Sequence, residues 1–277
     1  QTREVIMQTF NWFTELNENL QVTHGFAIKD NELASPQAQI IFGTASSVRH
    51  FGKSLSGSRP DGQDQVLDYS DVKMVVVDEA DNIFDETGSH FRPIMELLQH
   101  KVPNTARLAC FSATYPFNVR ETIRRLRPNI VTKLLRRNEL SLSTVHHFFV
   151  QVSSQEEKAD AVIRILTSND IPKAFIFCER RSTVDEVASK MKQHNLPCEA
   201  HHAGRTANER DTIFDKFAQS GDIRYLVTTS MLSRGVDIPA VTLVLNLDIP
   251  MVQGQRRHFP DTDTYLHRAG RAGRFGK

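Results

Sequence analysis

Short, uniformly apolar runs rich in Val, Ile and Phe recur along this chain and alternate with longer amphipathic stretches. A strand with one wet face alternates apolar and polar residues, so runs that are apolar at successive positions belong to strands covered on both faces. Helices give that cover when they cross from one parallel strand to the next, which restricts the chain to α/β architectures. The runs place strands at 40–43, 72–77, 107–112, 173–178, 198–202, 224–228 and 242–246. Helices fall between them. One starts near Ser154, whose spacing to Glu157 suits a capping box, and puts Ala159, Val162, Ile163 and Leu166 on one face. Another follows Ser182 with Val184, Val187, Ala188 and Met191 inward, and a third runs from Asn208 through Phe214 and Phe217 to Gly221, read as a terminating glycine.

A length of 277 residues with 39% hydrophobic residues supports two α/β domains. After a strand-like stretch at 130–135 the polar sequence RRNELSLST breaks the apolar rhythm. That break divides the chain into an N-terminal unit, 1–138, and a C-terminal unit, 145–277, whose first strand is expected in VHHFFVQV. The Ser, Gly, Asp and Gln in 53–68 read as an exposed loop.

Charge narrows the function. With 34 Lys and Arg against 33 Asp and Glu, a globally basic mode of nucleic-acid binding is unsupported, and any such contact must be local. Basic excesses occur at 120–137 and 256–277, where solvated helix faces are the plainer explanation for the first. Cys110, Cys178 and Cys198 show no Cys-x-x-Cys pairing, which argues against a zinc site or a disulfide framework and fits a reducing compartment. No apolar run approaches the ~18 residues of a membrane span. The N-terminal QTREVIMQTF lacks the features of a signal peptide and an initiator Met, so the chain is expected to begin inside a longer protein.

The sharpest chemical signal is VVVDEAD, an apolar strand that delivers Asp78 and Glu79 to its carboxyl end, where open α/β sheets put their ligands. Adjacent carboxylates there suit phosphoryl chemistry: one holds Mg²⁺ through its waters while the other orients and deprotonates the attacking water. Phe111-Ser112-Ala113-Thr114 ends the next strand with two small hydroxyls, which can bond those carboxylates or simply cap the helix after Pro116. Near the C-terminus His267-Arg268-Ala269-Gly270-Arg271-Ala272-Gly273-Arg274 spaces three arginines by three residues, a pattern suited to cradling developing phosphate charge. A simple basic patch is the rival explanation. In Ser233-Arg234-Gly235-Val236-Asp237, Asp237 can accept from a ribose hydroxyl, and Thr229 and Gly235 can meet a phosphate.

In order, spacing and strand context these motifs resemble the DEAD-box helicases of superfamily 2. QTREVI is similar to the family's Pro-Thr-Arg-Glu-Leu motif, FIFCERR to the motif that opens the second domain, TTSMLSRGVDIP to the motif linking ribose, RNA and domain closure, and HRAGRAGR to the arginine-finger motif. The insertion MVQGQRRHFPDTDT between NLDIP and YLHRAGRAGRFGK resembles the mRNA-export subgroup of the nuclear pore.

The resemblance implies two tandem RecA-like domains with mainly parallel sheets, the first incomplete, and an RNA-dependent ATPase that remodels RNA or its protein complexes. It implies ATP and Mg²⁺ as cofactors, the metal held by Asp78 through water. Glu79, Asp78, Arg271 and Arg274 would be catalytic, and Asp78, Asp237 and His267 would touch nucleotide. Thr2, Arg3, Thr44, Arg181, Arg210, Thr229 and Gly235 would touch RNA, and Asp81, Ser112, Thr114 and Arg268 would couple the two activities. Nuclear-pore and activator proteins are implied as partners, with a cytoplasmic or nuclear location that includes the pore. Departures exist: the P-loop and the adenine-reading motif are expected before Gln1, GTASS replaces Gly-Thr-Pro-Gly-Arg, and the gap from Gly204 to Arg210 is one residue short. An ATP-independent RNA-binding adaptor and a DNA helicase are the alternatives.

Overall fold

A computed structural model describes residues 3–28, 38–51, 67–135, 144–233, 235, 237–238, 240–252 and 259–272. Thr2, Arg274, the side chain of Arg3, most of the 53–68 loop and the break at 136–143 lie outside the described residues. The chain forms two compact units, Gln1–Leu134 and Leu135–Lys277.

Unit 1 holds two parallel strand pairs. Helix α1 (Arg3–Asn17) leads to β1 (His24–Ala27), which pairs with β2 (Ile40–Gly43) before α2 (Ala45–Phe51). Phe10 of α1 meets Phe26 and Phe42 edge-on at 5.5 and 5.7 Å, fixing the helix to the first pair. Gly43 is obligatory where β2 turns into α2, because a Cβ there would lie 2.6 Å from the Ala27 carbonyl oxygen. The second pair is β3 (Met74–Val77) with β4 (Arg107–Cys110), connected through α3 (Ala80–Ile83) and α4 (Phe91–Glu96) and followed by α5 (Phe117–Leu126). Phe84, Leu98, Val119 and Ile123 form the apolar floor under it.

Unit 2 is a four-stranded parallel sheet in the order β6 (Cys198–His201), β7 (Tyr225–Thr228), β5 (Lys173–Phe177), β8 (Val241–Asn246). Its helices are α6 (Gln155–Ser168), α7 (Arg181–Gln193), α8 (Ala207–Gln219) and α9 (Thr262–Ala269). Strand periodicity sorts β5: Ala174 and Ile176 join the cluster built with α6 and α7, while Phe175 and Phe177 point to the other face, where Phe217 of α8 meets Phe175 at 5.1 Å. Every residue from Ala174 to Phe177 is at most 1% exposed, the doubly covered condition that the apolar runs imply.

The fold corrects the sequence reading at several points. Strand β1 was not anticipated, because HGFA offers only four residues with no β-branched side chain. The expected first strand of unit 2 is no strand: 145–152 gains neither a ladder nor a covered face, and Phe148 and Phe149 are 91% and 90% exposed. The strand-like stretch at 130–135 is likewise irregular, with Val131 93% exposed. Gly221 does not end α8 in a left-handed turn; Gly235 is the glycine with positive φ among the described residues. Lys173 Nζ instead donates to the carbonyls of Phe217, Ala218 and Ser220, satisfying the open end of the helix with a partly buried cation. The capping box sits at Thr206 and Glu209, at the start of α8. At α6, Ser154 accepts from the Glu157 amide as expected, but Glu157 reaches back to the Ser153 amide.

Phe217 is fully buried and unites this face, since its ring packs on Phe175 and lies 5.5 Å from Lys173 Nζ. Phe217→Ala is expected to destabilise unit 2 by about 3–5 kcal/mol, read as a lowered urea midpoint with unchanged m-value.

Candidate functional site

In each unit several of the described candidate residues lie at the carboxyl ends of its strands. In unit 1, β3 ends on Asp78, which is exposed, and Glu79, which is 9% exposed. Glu79 has φ 51° and ψ 47°, the left-handed region, which costs a residue with a Cβ roughly 1–2 kcal/mol. Several bonds hold it there. The Glu79 amide donates to Asp78 Oδ1 at 2.9 Å, its carbonyl accepts from the amides of Asn82 and Ile83, and the Ala80 amide donates to the Phe111 carbonyl at 3.0 Å, extending the ladder beyond β4. The chain thus turns sharply out of the sheet at Glu79 and enters α3 at once. Backbone held in a sparsely populated region by its surroundings is frequent at functional sites.

Thr114 is 5% exposed, and its Oγ1 donates to Asp81 Oδ2 at 2.5 Å, so one of the two hydroxyls expected to reach a carboxylate does so. Ser112 does not: its Oγ is buried without a hydrogen-bond partner among the described residues. The capping alternative fails as well, since α5 begins after Pro116 with no side-chain cap. Thr44 caps α2, accepting from the Ser47 amide at 3.1 Å and donating to Ser47 Oγ. Burial and the nearby Cys110, Asp81 and Asp78 push the Tyr115 phenol far above its ordinary range.

In unit 2 the centre is Arg268, with no exposed surface. Its guanidinium donates to Asn246 Oδ1 at 3.2 Å, to the Asp248 carbonyl at 2.9 Å and to Ser230 Oγ at 2.6 Å, lies over the Phe177 ring at 5.1 Å, and has Glu179 at 3.7 Å. Burial draws its pKa down, while Glu179 and Asp248 oppose that shift. One side chain therefore binds the ends of β5 and β8 and the turn after β7. The sequence motifs do not single out Asp248, Glu179 or Ser230; for the two carboxylates the signal is an acid just beyond an apolar run, and Ser230 has none. Asp248 accepts from Lys158 at 2.8 Å and from the Glu179 amide at 3.0 Å.

His267 and Arg271 flank Arg268 and are 3% and 6% exposed; Arg271 Nε donates to the His267 carbonyl at 3.1 Å. Asp237 is 6% exposed, two residues after Gly235 at φ 71°. Thr229 precedes the short turn Ser230–Leu232. Arg181 opens α7 at the surface, and Arg210 donates to the Arg205 carbonyl at 3.1 Å. The three thiols are held protonated, Cys178 pushed up to about 12 and Cys110 and Cys198 to about 11, chiefly by burial.

This pairing of a strand-end carboxylate motif with a buried-arginine motif in a second parallel sheet places the chain in a definite class: it belongs to the DEAD-box helicase family, with the DEAD/DEAH box helicase profile matching residues 1–122 and the helicase conserved C-terminal domain matching 157–276. Among its relatives, ATP-dependent RNA helicase dbp5 of Schizosaccharomyces pombe is 32% identical over all of this chain and 52% of that protein. ATP-dependent RNA helicase eIF4A of Debaryomyces hansenii is also 32% identical, over 65% of its length. The chain thus spans about half the length of the dbp5 relatives it matches. The structure of S. cerevisiae Dbp5 bound to RNA and ADP BeF3 superposes with a TM-score of 0.86 at 28% identity, covering 100% of this chain and 67% of that one. No described helix is long and apolar enough to cross a membrane.

Burial raises the pKa of Asp248, but the Lys158 bond, the Glu179 amide and the nearby cations outweigh it, so the carboxyl sits below its ordinary value. A folded pKa below the unfolded one gives stability that is present above about pH 4 and lost as pH falls through the folded value. Melting curves followed by circular dichroism between pH 6 and 2 are therefore expected to fall less steeply for Asp248→Asn than for the parent, from a lower starting midpoint.

Proposed function

We propose that this chain acts as part of an ATP-dependent RNA helicase, with residues 1–138 serving nucleotide hydrolysis and 145–277 serving RNA grip and hydrolysis together. The observation that carries the reading is Glu79, buried and held left-handed beside an exposed Asp78 at the end of β3. The donor set fits Mg²⁺, because Asp78 offers a hard carboxylate oxygen at the surface while Asp81 is already engaged by Thr114. When bound, the metal supplies positive charge against the phosphates, and Asp78 would hold it through water. Glu79 would orient the attacking water and take its proton on a carboxylate oxygen. Arg271, with Arg274 beyond it, would face the charge that develops on the transferred phosphoryl group. Asp237 and His267 would touch the nucleotide. Thr114 and Asp81, with Arg268 and Ser112, would transmit the state of the site to the RNA-binding side chains Thr2, Arg3, Thr44, Arg181, Arg210, Thr229 and Gly235.

RNA as the substrate rests on the dbp5 relatives and on S. cerevisiae Dbp5, whose structures include complexes with RNA, and with nup159, gle1, ip6 and adp. By that likeness a role in mRNA export at the nuclear pore, with partners of those kinds, is the proposed setting. Contacts made mainly to phosphates would make binding largely sequence-independent and salt-sensitive.

Tests use the longest natural form of the protein that contains this chain. Glu79→Gln keeps the shape but removes the base, and is expected to lower RNA-stimulated ATP turnover by more than about a hundredfold while ATP-dependent RNA binding persists. A loss below about tenfold, roughly 1.4 kcal/mol of barrier, would remove Glu79 from this role. Arg271→Ala is expected to lower the turnover rate at saturating ATP and RNA far more than it weakens RNA binding. Loss of affinity with a preserved maximal rate would identify Arg271 as part of a basic patch instead.

A further inference from the structure

The loop between β6 and α8 carries an arginine that the functional reading has not used. His202, almost fully buried, fixes the start of that loop. Its Nδ1 lies 3.1 Å from the Gly204 amide, which can only donate, so the proton sits on Nε2 and is shared with both Asp185 oxygens at 3.1 Å. Gly204 packs so tightly that a Cβ would come within 2.9 Å of the His202 ring, and the same position is 3.9 Å from Cδ of Arg181. The loop backbone therefore lies along the stem of Arg181. Arg181 and Asp185 are four residues apart on α7 and share a face.

Arg205 comes next, and its tethering is loose. One terminal nitrogen is 3.7 Å from Asp185 Oδ1, beyond hydrogen-bonding reach, and its Nε is buried with no hydrogen-bond partner among the described residues. The side chain of Arg205 is 31% exposed and that of Asp185 is 53% exposed, so the ion pair faces water, where such pairs are weak. Beneath the loop, Arg210 donates to the Arg205 carbonyl at 3.1 Å. The N-terminus of α8 already carries an anion of its own, because the Glu209 carboxylate accepts from the amide and hydroxyl of Thr206.

We infer that Arg205 is a further RNA-phosphate contact of unit 2, set between Arg181 and Arg210, and that Asp185 holds it in place in the RNA-free protein. This rests on the RNA-binding reading proposed above. A guanidinium with open donors and one weak, displaceable carboxylate is suited to exchange that carboxylate for a phosphate, which accepts two parallel hydrogen bonds. Asp185 then competes with RNA for Arg205, so removing its charge strengthens binding instead of weakening it.

The test is fluorescence anisotropy of a labelled oligouridylate with the longest natural form of the protein and a non-hydrolysable ATP analogue, at several salt concentrations. Arg205→Ala is expected to weaken binding about three- to tenfold and to make the slope of log K against log salt shallower by about 0.7, the value for one phosphate of a single strand. Arg205→Lys is expected to keep most of the slope. Asp185→Asn is expected to tighten binding about two- to threefold, and this gain should vanish in the Asp185→Asn, Arg205→Ala double variant. If Arg181→Ala weakens binding while Arg205→Ala changes neither affinity nor slope, or if the Asp185→Asn gain survives without Arg205, the role of Arg205 is overturned and the RNA reading stands. If the unsubstituted protein does not bind the oligouridylate, the RNA reading itself fails and this inference fails with it.

Discussion

The guanidinium of Arg268 is the interaction on which the carboxyl edge of unit 2 depends. Stripping a charge of all solvent costs several kcal/mol, and the cost is offset only where hydrogen bonds and counter-charges are well placed. Here they come from three separate segments: Asn246 at the end of β8 with Asp248 just beyond it, Glu179 after β5, and Ser230 after β7, with Phe177 closing one face. Because a partly satisfied buried charge is worse than none, these segments cannot drift independently. The loops that carry Thr229, Arg181 and Arg271 are anchored next to those partners, so one buried cation sets the positions of side chains from distant parts of the sequence.

Unit 1 solves the same problem with less charge and more backbone strain. Glu79 stays left-handed because the Asp78 side chain, the α3 amides and the Phe111 carbonyl all hold the turn. The Thr114 bond to Asp81 then ties the end of β4 to α3. Both arrangements lie at the carboxyl ends of parallel strands, where each strand finishes on backbone groups that its neighbours no longer pair. Side chains must complete those bonds, which is why polar residues cluster there.

Much of this was legible in the sequence. Strands such as β5 and β7 are apolar at nearly every position, and a run of that kind is compatible with little besides a doubly covered strand. Strand-end motifs were legible because they set carboxylate, hydroxyl and guanidinium groups directly after apolar runs. What failed to show followed physical causes. HGFA is too short for periodicity to register, and VHHFFVQV has strand-like composition without a partner edge among the described residues. The left-handed turn is invisible because the sequence carries Glu rather than Gly at 79, so the usual marker of positive φ is missing. The end of α8 misled for the opposite reason: Gly221 was present, but Lys173 from a distant strand satisfies the helix carbonyls.

The two buried polar centres also differ in how they can respond to chemistry. Arg268 keeps its charge at any ordinary pH, so its network has one protonation state and acts as a fixed frame. The Thr114 and Asp81 pair is of a different kind. Its hydrogen bond joins a neutral hydroxyl to a carboxylate two residues from Glu79, and a hydroxyl can rotate to another acceptor at little cost. A change of charge at Glu79 acts on Asp81 two residues away with little water to screen it, because both side chains are buried, whereas Arg268 is held from several sides. Within unit 1 a change at the end of β3 therefore bears on a buried hydroxyl–carboxylate bond, whereas within unit 2 the strand ends are organised around a guanidinium of constant charge.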